Sequence, residues 1–334
     1  MVRRRTWRCT IGPVDPDLVI RPMTAADAPA VAALFAAVEQ VDRTGEHVAL
    51  TDVLDDLANP MTGPEDWLVV ERSGRLVASS QLLPRAVADG SLSVAVHGVV
   101  HPGERRRGTG TALLGRLLTR ADAHVRERGE HLRAVVTATA PADLAGFASV
   151  ATAAGLRPFR HNFLMAADLG GPAGAPPDLP AGLTLHTWEG ADHAELLAAH
   201  NRTFVGLPGW TPWDAEMWHT WVSGHRALRP ARSLLARTAD GELAAYVQTD
   251  EHDAVRQATG RREAFVAKVG VVPEHRRRGL ASVLLRTALQ RYAAAGYDRA
   301  ALDVDSENPT GALGVYESAG FAVERRWTTW RLED

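Results

Sequence analysis

Two stretches of the chain carry residue types at a spacing suited to holding a pyrophosphate: Arg105-Arg106-Arg107-Gly108-Thr109-Gly110 and Arg276-Arg277-Arg278-Gly279-Leu280-Ala281. Each follows an apolar run that ends beside a proline (Val99-Val100-His101-Pro102; Val271-Val272-Pro273) and leads into an Ala/Leu-rich segment. Between a strand end and a helix start, successive backbone N–H groups have no intrachain partner and line a concave turn. The helix dipole reinforces them, so an anionic phosphate is favoured there. Gly108, Gly110, Gly279 and Ala281 let such a group approach the backbone, and Arg105, Arg107, Arg276, Arg277 and Arg278 add positive charge at the rim. No Gly-Lys-Ser/Thr is present in either turn, and the spacing is not Gly-x-Gly-x-x-Gly, so neither a P-loop nor a dinucleotide fingerprint describes it.

The elements that must position these turns occur twice. Leu18–Phe35 and Leu183–His200 each read as a short strand, an acidic N-cap candidate (Asp27, Asp192) and a helix. Those two acids lie 165 residues apart and Gly108 and Gly279 lie 171 apart, a register that marks an internal duplication with one small insertion. Strand-like runs at 67–71, 76–83, 92–100 and 132–137 have counterparts at 233–237, 243–248, 264–272 and 299–304, bounded by turn residues. Leu280, Leu284, Ala288 and Tyr292 recur at helical spacing. The expected class is mixed α/β (α+β): two tandem domains, each a twisted mixed sheet flanked by helices. The expected boundaries are an N-terminal arm at 1–16, a domain at 17–169, the Gly/Pro-rich linker 170–182 and a domain at 183–334.

Composition limits the remaining possibilities. The chain has 334 residues, 46% apolar and 23% charged, which suits two globular domains. A formal net charge of −3 argues against nucleic acid as a partner. No apolar run reaches about 18 residues, so no membrane association is expected. The single cysteine, Cys9, excludes internal disulfides and a four-cysteine zinc site, and no metal is expected. Lys268 is the only lysine against 36 arginines, which reads as a coding bias that lowers the weight of arginine runs. The chain is expected to be soluble, cytoplasmic and monomeric.

VGVVPEHRRRGLASVLL (Val269–Leu285) resembles the acetyl-coenzyme A motif of the GNAT superfamily of N-acetyltransferases, and LDVDSENPTGALGVYESAGF (Leu302–Phe321) is similar to that superfamily's strand-Asn-helix-Tyr-x-x-x-Gly-Phe signature. The tandem arrangement resembles that of the mycothiol synthases. The resemblance implies direct acetyl transfer from acetyl-coenzyme A (acetyl-CoA), as co-substrate, to the amine of a small molecule. Backbone N–H groups near Val269 and Val271 would bond the pantetheine arm and polarise the thioester carbonyl. Val99 is the corresponding residue chosen in the first copy. Asn308 would help hold the cofactor, and Tyr316 would protonate the departing thiolate.

The copies differ where this chemistry is carried. The first has Ala151 where the second has Tyr316, and no asparagine matching Asn308. The second domain is therefore expected to be catalytic, and the first to bind coenzyme A or only to support its neighbour. The general base stays open: Glu263 on the strand before the motif, the Glu251-His252-Asp253 cluster, or a water chain. Trp210, Trp213, Trp218 and Trp221, with Asp214 and Glu216, fit either a packed helix face or an acceptor wall, where Trp210, Trp213, Asp214 and Glu216 would attract a cationic amine. A different class of function, an acyl-CoA-binding regulatory or structural module with little catalysis, is the alternative.

Overall fold

The computed structural model describes residues 17–88, 90–129, 132–171, 177–206, 210–308 and 311–333. The N-terminal arm with Cys9, and part of the linker, lie outside the described residues. The chain forms two compact units: one holds the chain up to His161 together with Arg326 onward, and the other holds Asn162–Arg325.

The first half runs β1 (Leu18–Pro22), α1 (Ala28–Asp42), α2 (Leu50–Leu57), β2 (Trp67–Arg72), β3 (Arg75–Ala88), β4 (Ser91–Val100), α3 (Thr109–Arg128), β5 (Arg133–Pro141), α4 (Ala145–Ala153) and β6 (Arg157–Asp168). The second runs β7 (Leu183–Thr187), α5 (His193–Phe204), α6 (Ala215–Trp218), β8 (Leu234–Thr238), β9 (Leu243–Asp250), α7 (Asp253–Thr259), β10 (Glu263–Val271), α8 (Leu280–Ala294), β11 (Arg299–Asp305), α9 (Ala312–Ser318) and β12 (Ala322–Glu333). The eight strands expected from sequence all form. Asp192 caps α5 by accepting the Ala194 N–H at 2.8 Å. Asp27 instead turns back to the Thr24 N–H and to Arg21, so it fastens the turn before α1.

The units do not follow chain order at their last strand. β6 pairs antiparallel with β11, from Arg299↔Asp168 to Asp305↔Asn162, and completes the second sheet in the order β6-β11-β10-β9-β8-β7. β12 pairs with β5, from Trp327↔Pro141 to Glu333↔Val135, and completes the first in the order β1-β2-β3-β4-β5-β12. The division at 170–182 therefore assigns each terminal strand to the wrong sheet. Both strands are interchangeable in kind, each extended and following a Gly-containing turn, so chain order alone could not choose between the two edges. Leu332 of β12 is buried in the α3-side core of the first unit, and Met165 of β6 in the α8-side core of the second. Burial of such a side chain contributes about 2 kcal/mol.

Each sheet contains one parallel pair, β4/β5 and β10/β11. Pairing ends at Val96↔Ala138 in the first and at Phe265↔Ala301 in the second, after which the strands part into a fork. No helix among the described residues is long and apolar enough to cross a membrane.

Candidate functional site

The fork edges follow from strand alternation. Val272 N–H donates to Ala244 O on β9 at 3.0 Å, so the amides of Val271 and Val269 point the opposite way, to the edge that β11 has left. These are the amides that the sequence selected. In the first unit His101 N–H donates to Val77 O on β3 at 2.9 Å. The same parity turns Val99 toward β3 and leaves Val100 and Gly98 facing the open edge. The choice of Val99 was one residue out of step, and a one-residue slip reverses every direction on a strand.

Past each fork strand the two turns share one backbone shape. Arg106 and Gly108 have φ of 65° and 80°, and Arg277 and Gly279 have 61° and 74°. Alternating left-handed residues aim successive N–H groups into one concavity, the geometry that suits a phosphate. Holding an arginine there costs about 1–2 kcal/mol, which the surrounding contacts must offset. The first arginine of each turn supplies part of that. Arg105 donates to Val100 O and makes a two-pronged pair with Asp42 (2.8 and 2.7 Å). Arg276 donates to Val271 O and, at 2.6 Å, to Thr203 O at the end of α5. Both guanidiniums are thus engaged with protein and brace the turn. Arg107 is paired with Glu104 at 3.1 Å, and Arg277 and Arg278 are exposed at the rim. Ala281 lies in the first turn of α8, and Asn308 in the turn between β11 and α9, where its carbonyl accepts the Gly311 N–H.

In the first unit the fork and turn enclose a cavity of 720 Å³, lined by Val100, Arg106, Gly108 and Gly110 on one side and Thr139 and Phe147 on the other. At its edge Thr109 Oγ1, at the start of α3, is buried without a hydrogen-bond partner among the described residues. An orphaned hydroxyl beside unpaired helix-start amides fits an incoming phosphate. Ala151, in the position of Tyr316, is fully buried.

In the second unit Tyr316 stands on α9, half-buried, with its ring 6.1 Å from Phe321. Its hydroxyl makes no hydrogen bond among the described residues. Burial pushes the phenol up to about 12, so it is fully protonated at neutral pH and able to donate.

The opposite face of the same fork is polar and incompletely satisfied. β10 carries a bulge between Val266 and Lys268 against β9. The extra residue reverses the alternation, so Val266 and Val269 both face the α8 core while Lys268 points to the α5/α6 side. There the Lys268 ammonium lies over the Trp213 ring, 5.2 Å from its centre, and burial lowers its pKa. His200 of α5 is wedged against Trp213 at 4.6 Å and shares a hydrogen bond with the Tyr246 hydroxyl at 3.1 Å, while its Nε2 is buried without a partner among the described residues. Burial and the Lys268 charge bring His200 down to about 3, so it is neutral. Gln248, directly across from Lys268, donates to Asp250 but leaves its own Oε1 buried and unpaired. The Tyr246 ring lies over Gly270, where any Cβ would collide with it.

The tryptophan cluster divides. Trp218 is core, and Trp213 is anchored through its backbone by Asn201 (2.8 and 3.0 Å) with its ring face covered by Lys268. Trp210 keeps a buried indole N–H with no partner among the described residues. Asp214 is spent capping α6, accepting the Met217 N–H at 2.8 Å, and Glu216 is exposed. A wall that draws a cation by tryptophan faces is not what these residues form at Trp213, since a cation of the protein already occupies it. Glu263, the base candidate, sits at the closed end of the fork in a 2.8 Å pair with Arg299. Glu251 is bound by Arg229, Arg262 and the Tyr297 hydroxyl, which hold it down at about 2. Neither is presented to the open fork. Lys268, His200, Gln248 and Asp303 carry no motif in the sequence; the singularity of Lys268 is visible there, but its place over Trp213 depends on the β10 bulge.

Both halves of the chain have known relatives. Residues 193–321 match the acetyltransferase (GNAT) family model, and residues 19–142 match a second acetyltransferase (GNAT) domain model. Mycothiol acetyltransferase from Thermobispora bispora is 34% identical over 69% of this chain and 72% of its own length. That from Clavibacter michiganensis is 31% identical over 78% and 77%. A GCN5-related N-acetyltransferase from Sphaerobacter thermophilus superimposes with a TM-score of 0.74 at 27% identity, covering 96% of both chains. A tandem GNAT protein from the clavulanic acid biosynthesis pathway has the same fold (TM-score 0.63, 24% identity, 95% and 98% covered).

Proposed function

Because this chain belongs to the GNAT family of N-acetyltransferases, with two such domains in tandem and acetyl-CoA as acyl donor, we propose that transfer takes place in the second unit, onto the amine of a small molecule. One contrast carries the reading. Tyr316 offers an unbonded, protonated hydroxyl beside the second fork, and the first unit has a fully buried alanine there. In this mechanism the Gly279 turn holds the pyrophosphate. The Val269 and Val271 amides bond the pantetheine arm and polarise the thioester carbonyl, and Asn308 steadies the bound arm. Tyr316 gives its proton to the sulfur as the C–S bond breaks, so that coenzyme A leaves as the thiol, and the phenol is restored by the extra proton on the newly formed amide nitrogen.

The acceptor enters from the α5/α6 side, where His200 Nε2 and Gln248 Oε1 await partners. The name of the mycothiol acetyltransferases makes a mycothiol-type amine the first acceptor to try. The first unit is assigned acetyl-CoA binding without turnover, an assignment supported by its 720 Å³ cavity and orphaned Thr109 hydroxyl. The same reading carries a cytoplasmic monomer, since two related domains in one chain stand in for a pair of subunits. Thiol release from acetyl-CoA across an amine panel tests it. Turnover with at least one small amine is expected, and binding without release for every amine would contradict it.

A further inference from the structure

The acceptor amine arrives as an ammonium at neutral pH and must lose a proton before its lone pair can attack. Glu263 and Glu251 are each held by arginine. Asp303 is not. It lies on β11 two residues beyond Ala301, the last residue paired with β10, and is therefore on the open edge of the fork. Leu302 and Val304 on either side of it are buried in the α8-side core, so its side chain projects to the opposite face, the one that carries Lys268 and His200. The residue is exposed to solvent, and no hydrogen bond or ion pair holds its carboxylate among the described residues.

The duplication supplies an independent check on that position. Asp303 pairs with Leu164 on β6, and the equivalent pair in the first unit is Thr139 with Thr329 on β12. Thr139 lines the fork cavity there and shares a 3.0 Å hydrogen bond with the Thr329 hydroxyl. The position thus faces the fork, and a carboxylate occurs there in the unit that has Tyr316 and not in the unit that lacks it.

We propose that Asp303 is the general base of the acetyl transfer, the carboxylate that takes the first proton from the acceptor's ammonium. This rests on catalysis in the second unit. The Asp303 carboxylate accepts one N–H proton and becomes a carboxylic acid. The freed nitrogen lone pair forms the C–N bond to the thioester carbonyl carbon, and the carbonyl π pair moves to oxygen, facing the Val269 and Val271 amides. When the oxygen pair returns, the C–S bond breaks and sulfur takes the Tyr316 proton. The amide nitrogen gives up its remaining extra proton, which restores the phenol, and Asp303 releases its own to solvent, so one proton leaves per turnover.

Asp303 is an exposed residue whose carboxyl is partly desolvated at the fork; that desolvation and the negative charge of Glu263 raise it toward about 6, and contact with solvent moderates the rise, which leaves the carboxylate deprotonated at pH 7. The charged groups around it are Glu263 and Lys268 on β10, Arg299 and Asp305 on β11, and Glu324 of β12, which pairs with Arg299 at 2.7 Å; Phe163, Leu164 and Met165 of β6 bring none. Only the deprotonated form accepts, so activity with an ammonium-type acceptor falls as pH drops through about 6.

The test compares glycinamide, glucosamine and benzylamine with hydroxylamine, which is largely neutral at pH 7 and needs no base, as acceptors for the full chain. D303N is expected to lower kcat/KM for the primary amine best used by the wild type by about 100-fold or more at pH 7, and to abolish the acidic limb of its pH profile. Hydroxylamine turnover and acetyl-CoA affinity should stay within about threefold, which also shows that the variant is folded. Retention of the primary-amine rate, or equal loss with both kinds of acceptor, overturns the proposal. If D303N is silent while Tyr316→Phe abolishes turnover, the base assignment fails and the second-unit reading stands; if both are silent, that reading fails and takes this one with it.

Discussion

The two units of this chain carry the same fork and the same left-handed turn, yet differ at three matched positions around them. Tyr316 stands against Ala151, Asp303 against Thr139, and Lys268 against His97, each of the last two lying opposite a glutamine (Gln248, Gln81) on the neighbouring strand. The backbone features that would bind acetyl-CoA are thus duplicated, whereas the phenol and the carboxylate occur in one copy only, the first keeping an imidazole, His97, on its fork strand. Binding needs only amides and a turn, which any sequence keeping the fold and its glycines supplies. Proton transfer needs particular side chains, and these can be lost without disturbing the scaffold.

The largest effect is expected at the phenol. Tyr316→Phe should lower turnover by about 100-fold or more while leaving acetyl-CoA affinity nearly unchanged, measured by thiol release beside calorimetric binding. An intermediate effect is expected from restoring the ring in the other copy. Ala151 is fully buried, so Ala151→Tyr should overpack the first core, lower stability by about 1–3 kcal/mol and add no activity, as read by thermal unfolding and turnover. A gain of activity would show that the missing phenol alone silences the first unit.

The smallest effect separates the units by pH. His200 is held neutral down to about 3 in the fold, against an ordinary value of 6.5, and the aligned position in the first unit is Phe35. Below 6.5 the unfolded chain binds the proton that folded His200 refuses, so its contribution makes stability fall progressively as pH drops from 6.5 toward 3. Hydrogen exchange at acidic pH should therefore speed up more in α5 and β9 than in α1 and β3, and His200→Phe should narrow the difference.

Much of this arrangement was legible in the residues. The glycine turns, the eight strands and the register of the duplication follow from local patterns, and the amides of Val269 and Val271 face the edge that β11 leaves. What escaped depends on facts beyond local pattern. Val99 was chosen in place of Val100 and Gly98 because strand parity is set by the first cross-strand bond, His101 to Val77. Arg105 and Arg276 read as phosphate ligands, but their partners, Asp42 and the Thr203 carbonyl, are distant in sequence. The bulge at Ala267 that turns Lys268 toward Trp213 has no signature in an apolar run, and the exchange of β6 and β12 depends on which sheet edge each meets. Asp303 lay inside a recognised signature, where its alternation with Leu302 and Val304 already assigned it to the face away from their core.

The central claim, that two forks bind acetyl-CoA and one transfers acetyl, is tested most directly by comparing Gly108→Ala with Gly279→Ala. Both glycines have positive φ, so either substitution strains its own turn by about 1–2 kcal/mol; relaxation of the free turn away from the binding shape then lowers affinity at that fork by up to about tenfold. Sites per chain are counted by calorimetry and thiol release is measured on the same samples. The account predicts that each variant weakens one of two acetyl-CoA sites, that Gly279→Ala lowers kcat/KM about tenfold, and that Gly108→Ala turns over like the wild type. Equal loss of turnover in both variants, or loss in Gly108→Ala alone, would contradict it.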